Sequence, residues 1–143
     1  MPWAYWCVLV AALLPLAIVS FAKSGGGDNH HPRDDVDRLS GVHRRAYAAH
    51  FNAYENFPFF AAAVIIAVTQ GATPSAVNTL ASVYLALRIL HAALYIGDQA
   101  TLRSLTFLAG FLVNIAILRS SPMIGRDLVM TFSIASPRDN DAR

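Results

Sequence analysis

Cysteine, glutamate and charge are scarce in this chain. A single cysteine, Cys7, among 143 residues excludes an internal disulfide and argues against a cysteine-built metal site. Charged residues amount to 14%, where an ordinary soluble domain carries about 25%. The net charge is only +2 and the basic residues are scattered, so nucleic acid is not an expected partner. No internal repeat is evident. Glutamate occurs once, as Glu55.

What is plentiful is hydrocarbon: 55% of the residues are hydrophobic and the mean hydropathy is +0.43. Four segments, 3–22, 48–70, 75–96 and 102–118, are long enough, or nearly so, to cross a hydrocarbon core of ~30 Å at 1.5 Å per residue. The first lacks a basic leader, and Ala22-Lys23-Ser24 is a poor cleavage site, so it reads as a retained span. With a connector at 23–40 and a tail at 119–143, residues 1–143 read as one domain. The expected fold class is all-α, an integral membrane four-helix bundle.

The connector is flexible at Gly25–Gly27 and interrupted by Pro32. Helix is expected to resume from Val36, with Asp34 or Asp35 as N-cap. His30 and His31 stand beside Asp28, Asp34 and Asp35, but a glycine-rich loop offers a metal no fixed geometry, so they read as solvated. Gly71–Pro74 and Gly97–Gln99 spell tight turns that force antiparallel neighbours. Loop charge places the first connector on the cytoplasmic side and both termini opposite. Trp3, Tyr5 and Trp6 suit an interfacial aromatic belt. Asn78 and Asn114 suit interhelical hydrogen bonds, and Pro58 a kink in the second helix.

Polar side chains gather at one place. The stretch Arg44–Pro58, RRAYAAHFNAYENFP, puts Asn52 and Glu55 at the mouth of the apolar run FPFFAAAVIIAV. A carboxylate where a helix enters a bilayer is costly and is kept because it binds or pairs. Asn52 and Glu55 share a helix face, as do Arg88, His91 and Tyr95 at i, i+3, i+7. Aligned, these stripes suit a small zwitterion, with Glu55 for its ammonium and Arg88 for its carboxylate. They equally suit a plain interhelix ion pair between Glu55 and Arg88.

AHFNAYENFPFF (Ala49–Phe60), then RILHAALY (Arg88–Tyr95), then LRSLTFLAG (Leu102–Gly110) together resemble the MAPEG family, membrane proteins of eicosanoid and glutathione metabolism. The resemblance runs from Arg38 to Leu118. It implies a homotrimer of four-helix subunits, with glutathione as co-substrate bound between neighbours near the cytoplasmic face. It further implies that Asn52 and Glu55 contact glutathione and that Arg88, His91 and Tyr95 line the same pocket. Arg103 would stabilise the thiolate, with Ser104 as hydroxyl donor to the same sulfur; by position alone Arg103 equally suits an interfacial anchor. Where eicosanoid-processing members have arginines for the peptide carboxylates, this chain has Ala48 or Phe51. Arg44 and Arg45 stand one turn earlier, ~5.4 Å away, and Arg45 is assigned to the glutathione set. Lys23, at the end of the first span, completes it.

The implied function is a glutathione-dependent membrane transferase or peroxidase. Its substrates would be hydrophobic electrophiles or lipid hydroperoxides taken from membrane lipid. The alternative is a non-catalytic lipid- or thiol-binding membrane protein of the same fold. Short loops and the lack of a targeting extension suit a bacterial inner membrane.

Overall fold

The computed structural model describes residues 2–26 and 34–122. His30, His31 and the tail beyond Pro122 lie outside the described residues. Four helices follow one another: α1 (Trp3–Lys23), α2 (Gly41–Thr69), α3 (Pro74–Ile96) and α4 (Ala100–Arg119). All four are long and apolar enough to cross a membrane. Among the described residues the fold is all-α, a four-helix membrane bundle.

The helix before the second span begins differently from the sequence expectation. Asp34–Arg38 form a short 3-10 helix, and α2 starts only at Gly41, after Ser40 in extended conformation. Gly41 takes a positive φ of 55°, a conformation that costs glycine nothing and breaks the continuity of helix. Arg44 ties the two pieces together, its Nη1 donating to the Val36 carbonyl at 2.8 Å. Downstream, α2 runs to Thr69 through Pro58 without a break. The turns fall where the sequence put them, with Gly71 at φ 76° and Asp98 at φ 60°.

α2 and α3 pack together in the middle; α1 packs on both, and α4 on both from elsewhere. Alanine makes this possible. Ala4, Ala11, Ala63, Ala67 and Ala81 are buried where α1, α2 and α3 meet, and Ala22, Ala46, Ala49 and Ala92 at a second seam. Small side chains let helix backbones approach closely, the main source of cohesion where lipid is as apolar as leucine. Phe60 and Tyr84 stack face to face across α2 and α3, centroids 3.9 Å apart. The large aliphatic residues point the other way: Leu9, Leu13, Leu105, Leu108 and Leu112 are exposed. Small inside and greasy outside is the pattern of a bundle solvated by lipid, and the protein is an integral, multi-pass membrane protein.

Polar side chains stitch the ends. Asn78 Oδ1 accepts the Ala4 backbone N–H at 2.9 Å, and the Trp3 indole N–H donates to Ser82 Oγ at 2.9 Å. Asn78 is thus an interhelical hydrogen bonder, as its position suggested. Near the other end of α1, a His43 ring N–H donates to the Phe21 carbonyl at 3.2 Å. The same ring lies so close to Gly25 that a Cβ there would sit 2.5 Å from His43 Cγ.

Candidate functional site

α2 carries a stripe at Arg44, Ala48, Phe51 and Glu55, spaced i, i+4, i+7, i+11, the recurrence of one helical face. With Val36, Tyr47, Asn52 and Tyr95 these residues line an open cleft of about 390 Å³. A second cleft of about 250 Å³ adjoins it, lined by Asn52, His91, Tyr95, Arg103, Ser104 and Phe107. Asn52 and Tyr95 belong to both. Six residues singled out in the sequence, from α2, α3 and the start of α4, therefore meet in one continuous depression: Asn52, Glu55, His91, Tyr95, Arg103 and Ser104.

Two opposite charges face it unpaired. Glu55 is exposed and, among the described residues, has no ion-pair or hydrogen-bond partner. Arg103 is half-buried, its guanidinium carbon 4.2 Å from the centroid of the Tyr95 ring. That stacking holds a cation over the second cleft without neutralising it. Ser104 Oγ donates to the Ala100 carbonyl at 3.1 Å, one turn back on α4, and keeps its oxygen lone pairs. Asn52 accepts from Asn56 Nδ2 through its own carbonyl at 2.8 Å, which steadies the stripe just ahead of Pro58.

His91 is fixed by its neighbours. Its Nδ1 lies 3.1 Å from the Arg103 carbonyl and 3.3 Å from Thr106 Oγ1. A carbonyl only accepts, so the proton of this bond is on Nδ1, and Nε2 of the neutral ring is a bare acceptor. Nε2 is buried and has no partner. Thr106 was not singled out in the sequence. Its position three residues after Arg103 is the spacing that brings both onto the same ring.

Arg88 is not where the stripe placed it. It is 5% exposed and lines neither cleft. Its guanidinium lies 5.4 Å from the Tyr84 centroid and 5.6 Å from that of Phe107. Gly110 on α4 makes the room, since a Cβ there would come 2.7 Å from Nη2. Nε and Nη1 are buried without partners. No ion pair joins Glu55 to Arg88 among the described residues, so the structural reading of that pair is not what the subunit contains.

Arg45 also lies apart from the clefts. Its Nε donates to the Ile96 carbonyl at 2.9 Å and its Nη1 lies 3.9 Å from Asp98. It closes the end of α3 against α2. Lys23 is exposed at the end of α1 and lines neither cleft. Tyr47 and Phe107 do line them and were missed. Their signals were Tyr47 one turn before Phe51, with which its ring packs edge-on at 5.0 Å, and Phe107 one turn after Arg103. Among the described residues no cluster of histidine, cysteine and acids is placed to hold a metal.

Residues 3–121, nearly all of the described chain, match the model of the MAPEG family. No curated protein and no solved structure matches the chain.

Proposed function

The chain belongs to the MAPEG family, and from that premise we propose that it binds glutathione in the paired clefts. There it would act as a membrane transferase or peroxidase on hydrophobic electrophiles or lipid hydroperoxides. The observation that carries this is the meeting of an unpaired carboxylate, Glu55, and an unpaired guanidinium, Arg103, across two clefts joined at Asn52 and Tyr95. A zwitterionic thiol fits that arrangement. Glu55 takes the ammonium, Asn52 the neighbouring polar atoms, and the sulfur lies towards Arg103 and Ser104.

The chemistry follows from Arg103. A guanidinium beside a thiol favours the thiolate, the reactive nucleophile. In transfer, the thiolate forms a C–S bond and a leaving group departs with the bonding pair. In peroxide reduction, two thiols become a disulfide while the hydroperoxide becomes alcohol and water. The second substrate arrives from lipid along the exposed apolar flank of α4, where Leu105, Leu108 and Leu112 are about half exposed. Arg88 serves from behind as a buried charge, while His91, in the wall of the second cleft, anchors the start of α4 at the Arg103 carbonyl.

The clefts are open in one subunit, and we propose a homotrimer whose neighbour covers them, in a bacterial inner membrane. Detergent-corrected mass should be about three times 15.5 kDa. Calorimetry with glutathione tests the reading directly, with saturable binding expected. Turnover of a chloro-nitroaromatic or a lipid hydroperoxide then separates an enzyme from a thiol- or lipid-binding protein of the same fold. No heat of binding at millimolar glutathione would sink the proposal.

A further inference from the structure

One wall of the 390 Å³ cleft does not come from a membrane span. Val36 lines it beside Arg44, Tyr47 and Ala48, and Val36 belongs to the short 3-10 turn Asp34–Arg38 that precedes α2. From Val36 to Ser40 no side chain is buried: Val36 and Leu39 are half-buried, and Asp37, Arg38 and Ser40 are exposed. Nor does the turn pack broadly on any of the four helices. A stretch with so little burial opens at small cost, while the spans behind it stay folded.

Polar contacts hold the turn, and two of them meet on one atom. The Val36 carbonyl accepts the Leu39 N–H at 3.2 Å and Arg44 Nη1 at 2.8 Å. The first bond is internal to the turn. The second crosses to α2 and sets Val36 against the cleft. Between the two the chain passes through Ser40, in extended conformation, and Gly41, with a φ of 55°. That left-handed conformation costs glycine nothing and strains any residue with a Cβ. Space is not the constraint, since a Cβ on Gly41 would meet nothing within 4 Å, so an alanine there tests the backbone angle alone.

We propose that residues 34–40 form a strap over the Arg44 end of the larger cleft, hinged at Gly41 and latched by Arg44 to the Val36 carbonyl. With the latch made, Val36 completes the wall. With it broken, the strap swings aside and a polar ligand enters from water along the α2 face towards Glu55. Arg44 is then a positioning residue that acts through the strap and not by touching the ligand. Entry and exit use the same movement, so weakening the latch speeds both and leaves their ratio, the affinity, unchanged. The exchange of ligand rests on the glutathione reading above; the strap itself does not.

Amide hydrogen exchange on the full chain in detergent reads the strap without any ligand. The Leu39 amide should be protected in the wild type. Arg44→Met, which removes the latch, and Gly41→Ala, which strains the hinge, should each raise its exchange roughly tenfold, with α3 and α4 unchanged. Stopped-flow binding of glutathione then reads the gate. In Arg44→Met both association and dissociation should quicken by roughly the same tenfold factor, and the Kd should hold. Faster dissociation with unchanged association would make Arg44 a ligand contact and overturn the strap's role. Unchanged Leu39 exchange in both variants overturns the strap, as does exchange raised equally through α3 and α4, which would mean a loosened bundle. Raised exchange with both rates unchanged overturns the gate. Raised exchange in a chain that binds no glutathione upholds the strap and overturns the proposed function instead.

Discussion

The Arg103 guanidinium carbon sits 4.2 Å from the centre of the Tyr95 ring, so α4 delivers its cation to the cleft on an aromatic face supplied by α3. Tyr95→Phe keeps that face and should leave thiolate formation nearly unchanged. Tyr95→Leu removes it, frees the guanidinium, and should lose about 0.5–2 kcal/mol of its hold. Absorbance near 240 nm, titrated with pH in the glutathione complex, reads the outcome: the thiolate should appear at higher pH in the leucine variant only.

Binding and chemistry should separate by residue. Glu55→Gln removes a charge-assisted bond to the ammonium and should weaken glutathione binding by ~1.5–3 kcal/mol. Arg103→Leu should leave binding nearly intact, raise the pH at which the thiolate forms, and lower turnover, because its interaction strengthens as charge develops on sulfur. If Arg103→Leu left the thiolate titration in place, Arg103 would be a headgroup anchor and not part of the chemistry.

Arg45 should prove structural. Arg45→Met removes the donor to the Ile96 carbonyl, one of the open carbonyls at the end of α3, and should lower stability by about 1 kcal/mol. Asp98→Asn keeps a residue that tolerates the positive φ and removes only an exposed charge, so it should cost less than about 0.5 kcal/mol. Glutathione affinity should stay unchanged in both; a tenfold loss in Arg45→Met would return that residue to the site.

The Arg88–Gly110 approach predicts a coupled pair. Gly110→Ala forces the guanidinium aside and should cost about 1–3 kcal/mol in thermal unfolding. In an Arg88→Met background the alanine should cost much less, and the difference is a coupling energy that a double-mutant cycle measures. Additive effects would mean that Gly110 serves some other contact.

Topology is a separate test. Cysteines at Ser24 and Ser136 should label from opposite faces of the membrane, with Cys7 silent because it is buried. Labelling from the same face would exclude the arrangement in which the first connector is cytoplasmic and both termini lie across from it.

The four spans were legible because transfer free energy accumulates along a chain, and 20 apolar residues outweigh local detail. The turns were legible because Gly71 and Asp98 stand where the chain reverses. The start of α2 was not: Leu39-Ser40 breaks the helix by backbone conformation, which an amphipathic pattern does not record. For the site, the i, i+3 and i+7 spacings put Asn52, Glu55, His91 and Tyr95 on the faces that line the two clefts. Arg88 obeyed the same spacing yet turned inward, because the space above Gly110 belongs to another helix. Arg44 and Arg45 are chemically identical in sequence, and only the partners at Val36 and Ile96 separate them.

The bonds from Asn78 and Ser82 to the start of α1 also impose an order in time. The acceptors for the Ala4 amide and the Trp3 indole are synthesised 74 and 79 residues after their donors. While only two helices have left the ribosome, those donors have water alone, and water is found only at the bilayer surface. His43 on α2 already ties the Phe21 end of the first helix, but its Trp3 end is fixed only once the third has entered beside it. A chain truncated after Gly71 should carry a Trp3 end that is free to move, and one truncated after Ile96 should hold it in place.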